Sequence, residues 1–223
     1  MQQTPAHDLI NPELMDLIPP GTRRLVDVGC MKGNLARVHR EAHPACEVIG
    51  IDIDADYAQA AAQWCTRALA ADIETMPDAD FESLFPSDCW VFGDCLEHLR
   101  DPWAVLRKVR SHIDADGCLL ACIPNAQHWS VQWRLASGLF RYEDQGLLDR
   151  THVRWFTRQT MFELFADTGW VVKEAMARTV HFPRDAQGLA AVRTFAGALG
   201  LDPEQAAADA GPMQYIFRVT PTP

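Results

Sequence analysis

The run from Arg24 to Arg37, RLVDVGCMKGNLAR, narrows the fold more than any other stretch of this chain. Leu25 to Val28 is a short, mostly apolar strand; Gly29 and Gly33 frame Cys30, Met31 and Lys32, and helix formers follow from Leu35 through Glu41. A strand, a glycine turn and a helix N-terminus are the parts from which an α/β sheet builds a ligand cradle. Gly29 permits the sharp turn that a side chain would resist. Gly33 lets the new helix approach the strand, or a ligand approach the helix amides, and Asn34 is the expected N-cap. The dinucleotide fingerprint carries a third glycine between these two, where this chain has Met31.

The rest of the chain repeats the alternation. Residues 1–21 hold Pro5, Pro12, Pro19, Pro20 and Gly21, a lead-in with a short helix at Pro12 to Leu17. The helix after Gly33 stops near Pro44. Glu47 to Ile53 reads as a second strand with Asp52 near its C-terminal end, about twenty residues beyond the glycine turn, where dinucleotide folds place an acid on the ribose. A carboxylate offers two oxygens and so holds both ribose hydroxyls; the structural alternative is a cap for the next helix. Asp54 is the better cap, for a helix from Ala55 to Thr66 that buries Tyr57 and Trp64. Strands follow at Ala68 to Ala71 and Ser87 to Gly93, the first leading into Asp72 and the second into Asp94. Asp101 caps and Pro102 opens a helix with its apolar stripe at Trp103, Leu106, Val109 and Ile113. Cys118 to Ile123 is apolar throughout, as expected of a strand covered on both faces. Strands alternating with helices in this way predict a parallel, doubly wound sheet.

After Pro124 the character changes. Ala126 to Thr151 is rich in aromatic, polar and glycine residues, too long for a plain connection and too apolar for a linker, so it reads as an insertion over the site. Thr157 caps a helix ending at Gly169. Trp170 to Ala175 and Gln214 to Thr220 are strands, and residues 184–210 form one or two alanine-rich helices. The whole of 1–223 is expected to be a single domain, with 125–156 as a substrate-side insertion.

With 48% hydrophobic and 22% charged residues the chain is an ordinary globular composition, and a net charge of −10 argues against a nucleic-acid partner. Arg107, Lys108 and Arg110 cluster, but on the solvated faces of their helix. The seven cysteines, at 30, 46, 65, 89, 95, 118 and 122, form no Cys-x-x-Cys pair, so no metal site is expected of them. Their odd number fits a reducing cytoplasm. No apolar run reaches the length of a membrane span.

Several stretches together carry a family likeness. VDVGCMKG at 26–33, VIGID at 48–52 and ADI at 71–73 resemble successive motifs of the class I S-adenosylmethionine-dependent methyltransferases. GDCLEHLRDP at 93–102 resembles the fourth motif, above all in the branch holding the ubiquinone-pathway O-methyltransferases. IPN at 123–125 and GLLDRTH at 146–152 are similar to a bacterial subgroup that modifies glycans or small molecules. The likeness covers roughly residues 22–180. It implies a Rossmann-like sheet of seven strands with the last antiparallel, and S-adenosyl-L-methionine as cofactor. It further implies that Asp27, Gly29 and Gly33 surround the methionyl part, that Asp52 holds the ribose, that Asp72 and Ile73 face the adenine, and that Gly93 and Asp94 lie beside the sulfonium.

Methyl transfer needs an acceptor atom in line with the S–CH3 bond, and a hydroxyl acceptor benefits from a base. His98, His128 and His152 are the imidazoles at hand. His152 stands first, beside Asp149 and Arg150 in a polar cluster; His128 is second. The cluster also reads as a latch pinning the insertion to the sheet. Trp129, Trp133 and Trp155 are placed to form a water-excluding lid or ordinary core. The expected activity is methyl transfer to a hydroxyl of a small molecule or glycan precursor. An N-methyltransferase of a small amine, or a catalytically silent cofactor-binding module, are the alternatives. A nicotinamide-dependent dehydrogenase is disfavoured by Met31 and by the acid at 72. The acceptor's identity and the oligomeric state are not legible in the sequence.

Overall fold

The computed structural model describes residues 4–5 and 9–223. A seven-stranded sheet forms the centre: β1 (Arg24–Val28), β2 (Glu47–Asp52), β3 (Arg67–Ala70), β4 (Cys89–Gly93), β5 (Cys118–Pro124), β6 (Trp170–Arg178) and β7 (Gln214–Pro221), in the order β3-β2-β1-β4-β5-β7-β6. The first five strands are mutually parallel. Strand β7 runs antiparallel to both β5 and β6. This is the Rossmann-like sheet with its antiparallel last strand that the sequence leads one to expect.

Period-two alternation sorts the strand residues between two cores. Val26, Val28, Ile49, Ile51, Trp90 and Phe92 pack with α5 (Pro102–Arg110) and α7 (Arg158–Asp167) on one face. Leu25, Val48, Val91 and Leu120 pack on the other face with residues of α1 (Pro12–Asp16), α2 (Asn34–Ala42) and α3 (Ala55–Ala61). Six of the cysteines lie in this second core, Cys95 in the first, and all seven are free, buried thiols. Two doubly covered faces leave one place for a ligand, the edge where the parallel strands end.

The structure redraws several local expectations. Gly33, not Asn34, holds the N-cap position of α2, in the left-handed region at φ +79° and with no side-chain cap. Helix α3 ends at Ala61 rather than Thr66, because Trp64 and Cys65 turn back on the Ala61 carbonyl so that Thr66 can join β2. Tyr57 is therefore only half-buried, and Trp64 is exposed. A short helix that the sequence reading passed over, α4 (Asp78–Glu82), leads toward β4. Strand β6 runs past Ala175 to Arg178, through a register shift between Val172 and Glu174 that keeps it paired with β7.

The excursion after β5 leaves and rejoins the sheet at one point, where Asn125 bridges Phe156 and the Ala126 amide donates to the Phe156 carbonyl at 2.8 Å. It carries α6 (Trp129–Ala136) and a small core of its own from Val131, Leu147 and Leu148. The alanine-rich region is two helices, α8 (Asp185–Ala198) and α9 (Pro203–Ala210). They dock on this segment: the Trp129 indole donates to Asp185 and lies so close to Gly188 that a Cβ there would stand 2.4 Å from the ring. The Asn125 amide donates to the carbonyls of Asp209 and Pro212, both at 2.8 Å. Among the described residues no helix is long and apolar enough to cross a membrane.

Candidate active site

Two adjoining crevices open at the C-terminal ends of the parallel strands. The larger, about 930 Å³ including its open mouth, is walled by Gly29, Asp52, Asp72, Ile73, Asp94 and His98 among others. The smaller, about 640 Å³, takes in Asp27, Gly93 and Asp94. Gly29, Met31 and Asp94 line both, so the two form one trough along the ends of β1, β2 and β4.

The turn after β1 is built to present backbone. The amides of Gly29 and Cys30 both donate to the Ile51 carbonyl, at 2.8 and 3.1 Å, which ties the loop to β2. Met31, at the position of the missing middle glycine, nonetheless adopts a glycine-like φ of +45°. A side chain there costs about 1–2 kcal/mol. The Met31 amide donates to Asp52 Oδ2 at 2.8 Å, and this bond offsets part of that cost. The other oxygen, Oδ1, accepts from the Asp54 amide at 2.9 Å. Asp52 is thus clamped at the crevice wall, each oxygen keeping a lone pair for a further donor. Its burial raises its pKa, and the two amides oppose that rise. Asp54 caps α3, accepting from the amides of Asp56 and Tyr57, so the capping role belongs to Asp54.

Asp27 is deeper. Burial, then the neighbouring Asp52, push its pKa up to about 7. Asp94 sits at φ +53°, its amide on the Cys122 carbonyl at 3.0 Å and its carboxylate accepting from the Gln214 amide. Asp72 accepts from the Glu74 amide at 2.9 Å, which turns the chain after β3 along the rim. Gly33 lines neither crevice. Its absent side chain is the space taken by Ala61, whose Cα would lie 3.1 Å from an added Cβ, so this glycine serves helix packing.

The imidazoles separate. His128 is the N-cap of α6: its Nδ1 accepts from the Ser130 amide at 3.3 Å, and the ring is 1% exposed. It lines neither crevice, and the second-ranked base of the sequence reading is a buried cap whose pKa is lowered by burial. His152 also lies outside the crevice lining, one ring behind His98, with centroids 4.8 Å apart. Burial, then His98, lower its pKa to about 4. The imidazole on the wall is His98, from the 3-10 turn Leu96–His98 after β4. Its Nδ1 lies 3.2 Å from the Thr151 carbonyl.

Asp149 is a scaffold for this wall. Its Oδ1 accepts from the amide and hydroxyl of Thr151, at 2.7 and 2.6 Å, and Oδ2 from the Thr4 hydroxyl at 3.1 Å. Against its burial, these Thr151 bonds and the nearby His152 hold the carboxyl below the ordinary range. Asp149 ties the excursion to Thr4 and braces Thr151, both on the crevice wall, and Arg150 pairs with Asp144 at 2.6 Å, so the cluster makes no salt-bridged latch onto the sheet among the described residues. Trp133 and Trp155 are exposed, and Trp129 is taken up by α8, so the three do not form a lid. Thr4, Tyr57 and Thr151 line the crevice, and the sequence reading gave none of them, nor Glu97, a role in the site. Glu97 had one signal, its place beside His98 in the fourth motif.

A family model described as a methyltransferase domain matches residues 4–175. Comparison with curated proteins gives no match. Solved structures share the fold at low identity. The O-methyltransferase of a trans-AT PKS multienzyme of Brevibacillus brevis, in complex with S-adenosyl-L-homocysteine, is 16% identical with a TM-score of 0.62, over 95% of this chain and 71% of that one. A SAM-dependent methyltransferase from Archaeoglobus fulgidus is 16% identical with a TM-score of 0.60, over 90% and 86%. The mitomycin 7-O-methyltransferase, 15% identical with a TM-score of 0.55, is matched over 91% of this chain but 50% of its own, so this chain spans half its length. The strand order, the trough at the strand ends and a domain match over most of the chain agree: this chain belongs to the methyltransferase-domain family, whose methyl donor is S-adenosylmethionine.

Proposed function

We propose that this enzyme methylates a hydroxyl of a small-molecule acceptor or glycan precursor, with S-adenosylmethionine lying in the trough at the strand ends. The observation that carries the reading is the row of carboxylates along that trough, Asp27, Asp52, Asp72 and Asp94, set among backbone and apolar side chains with Thr4, His98, Arg100 and Thr151 on the same wall. Bound there, the cofactor supplies an electrophilic methyl group on a cationic sulfur. Asp52, already clamped by two amides, is oriented to accept from both ribose hydroxyls. Ile73 offers an apolar face and Asp72 an acceptor to the adenine. Asp27, Gly29, Gly93 and Asp94 enclose the methionyl end, and a cation beside Asp27 favours its charged form. The acceptor enters on the side of His98 and Thr151, the latter the contribution of residues 125–156 to the crevice lining.

The acidic balance of the chain favours a small acceptor over a nucleic acid. Seven free, buried thiols support work in a reducing compartment such as the cytoplasm. The sequence does not separate oxygen from nitrogen as the acceptor atom; that two of the structures sharing the fold are O-methyltransferases supports oxygen. Calorimetry with S-adenosylhomocysteine tests the cofactor assignment: Asp52→Ala should weaken binding by about 1–3 kcal/mol. Unchanged affinity removes Asp52 from the site. Release of S-adenosylhomocysteine with a panel of alcohols and phenols tests the acceptor class. Turnover with amines alone moves the enzyme to nitrogen, and cofactor binding with no turnover on any acceptor identifies a silent module.

A further inference from the structure

Behind the acceptor-side wall lies a group that cofactor binding does not use. Glu97 is 1% exposed, and neither of its carboxylate oxygens has a hydrogen-bond partner. A buried carboxylate without donors is among the costlier arrangements a core can hold. Its Oε1 instead faces His152 Nε2 across 3.9 Å, too far for a hydrogen bond. With His98 these two bring one ligand atom each to within 4.8 Å of one another.

Backbone, rather than the side chains themselves, holds the three together. The Glu97 carbonyl accepts from the amides of Val153 and Arg154, at 2.9 and 3.0 Å, clamping the strand of chain after His152 onto the turn that carries Glu97 and His98. His98 Nδ1 lies 3.2 Å from the Thr151 carbonyl, and His152 hydrogen-bonds the backbone of Leu147. When Nδ1 of His98 donates its proton to that carbonyl, Nε2 is left with a lone pair to offer. An imidazole tied through one nitrogen to a carbonyl while the other points inward is the outer-shell arrangement of a metal-ligating histidine.

We propose that Glu97, His98 and His152 form a binding site for a borderline divalent transition cation. Ligand atoms on bonds of about 2.0–2.1 Å stand roughly 3.3 Å apart around a four-coordinate ion, so closing on one asks side-chain shifts of about 1 Å or less. Two imidazoles and one carboxylate suit zinc, cobalt, manganese or iron rather than magnesium or calcium, which take oxygen ligands. His98 lines the crevice while Glu97 and His152 lie behind it, so an ion held by the three is reached from the acceptor side past His98. What the ion does there rests on the proposed methyl transfer: it holds the acceptor hydroxyl and lowers its pKa. The O–H bond breaks, its electron pair stays on oxygen, and the proton leaves to water through the open mouth. The ion is neither oxidised nor reduced.

The test uses the full chain stripped with a chelator and titrated with Co²⁺ alone, followed by its visible d–d bands. Stoichiometric binding with bands of a nitrogen–oxygen ligand set is expected. Glu97→Gln and His152→Asn should each weaken Co²⁺ binding at least tenfold, with S-adenosylhomocysteine affinity unchanged within about twofold. That second measurement shows each variant folded, and either variant alone suffices. No stoichiometric binding to the native chain, or equal binding by a folded variant, overturns the site. Failure of S-adenosylhomocysteine to bind the native chain, with Co²⁺ bound as described, overturns the cofactor assignment and leaves the metal site standing.

Discussion

The cofactor-side trough and the acceptor-side wall meet at Asp94 and His98, yet they are made in different ways. The trough is assembled from strand ends: Asp27, Asp52 and Asp94 lie at or next to the last residues of β1, β2 and β4, and the sheet register alone brings them together. The wall is assembled from the 3-10 turn after β4 and a segment more than fifty residues later, joined by the Glu97 carbonyl and the Thr151 hydroxyl. The first region is rigid because the core holds it. The second depends on a few polar contacts whose loss moves several groups at once.

If the two regions have separate tasks, substitutions should divide cleanly between turnover and cofactor affinity. The largest effect is expected at the wall. His98→Asn should lower turnover by about 10²–10⁴-fold with S-adenosylhomocysteine affinity nearly unchanged. A matching fall in affinity, read by calorimetry, breaks the division.

The next effect belongs to the trough. The Asp27 pKa is raised in the folded chain to about 7, above its unfolded value. For such a group the stabilisation is fully present below the unfolded pKa and is lost as pH rises through the folded one. The cofactor-free enzyme should therefore lose a few kcal/mol between about pH 4 and pH 7 from this residue. Asp27→Asn should flatten that part of the pH–stability curve in denaturant titrations. An unaltered curve shows Asp27 to be ionised at neutral pH.

Gly33 sharpens the comparison from the packing side. Gly33→Ala places a Cβ 3.1 Å from Ala61 Cα at a left-handed φ. It should destabilise by about 2–3 kcal/mol while the folded protein still binds S-adenosylhomocysteine. Lost affinity at undiminished stability would return Gly33 to the cofactor. The smallest effect is expected at His128, where alanine removes a cap and should cost about 1–2 kcal/mol in thermal or chemical unfolding. Turnover of the folded fraction should stay at the native level; a hundredfold loss would make His128 part of the reaction.

The sequence by itself determined the sheet and its ligand edge. Hydrophobic period, glycine turns and caps at Asp54, Asp101 and Thr157 are local signals, each read within about four residues. Asp52 and Asp72 are likewise placed by their own strands, whereas Asp27 and Asp94 entered through the resemblance to the methyltransferase motifs. Only the tertiary structure decided the histidines and Glu97. His152 stands against Glu97, more than fifty positions away, and although the cap bond from Ser130 to His128 is local, the His128 ring packs edge-on against Phe182, again more than fifty positions off. The same holds for Met31: its side chain argued against a glycine-like turn, but the bond from its amide to Asp52, formed across two strands, holds the backbone there. Local propensity cannot register a contact that exists only once the chain has closed on itself.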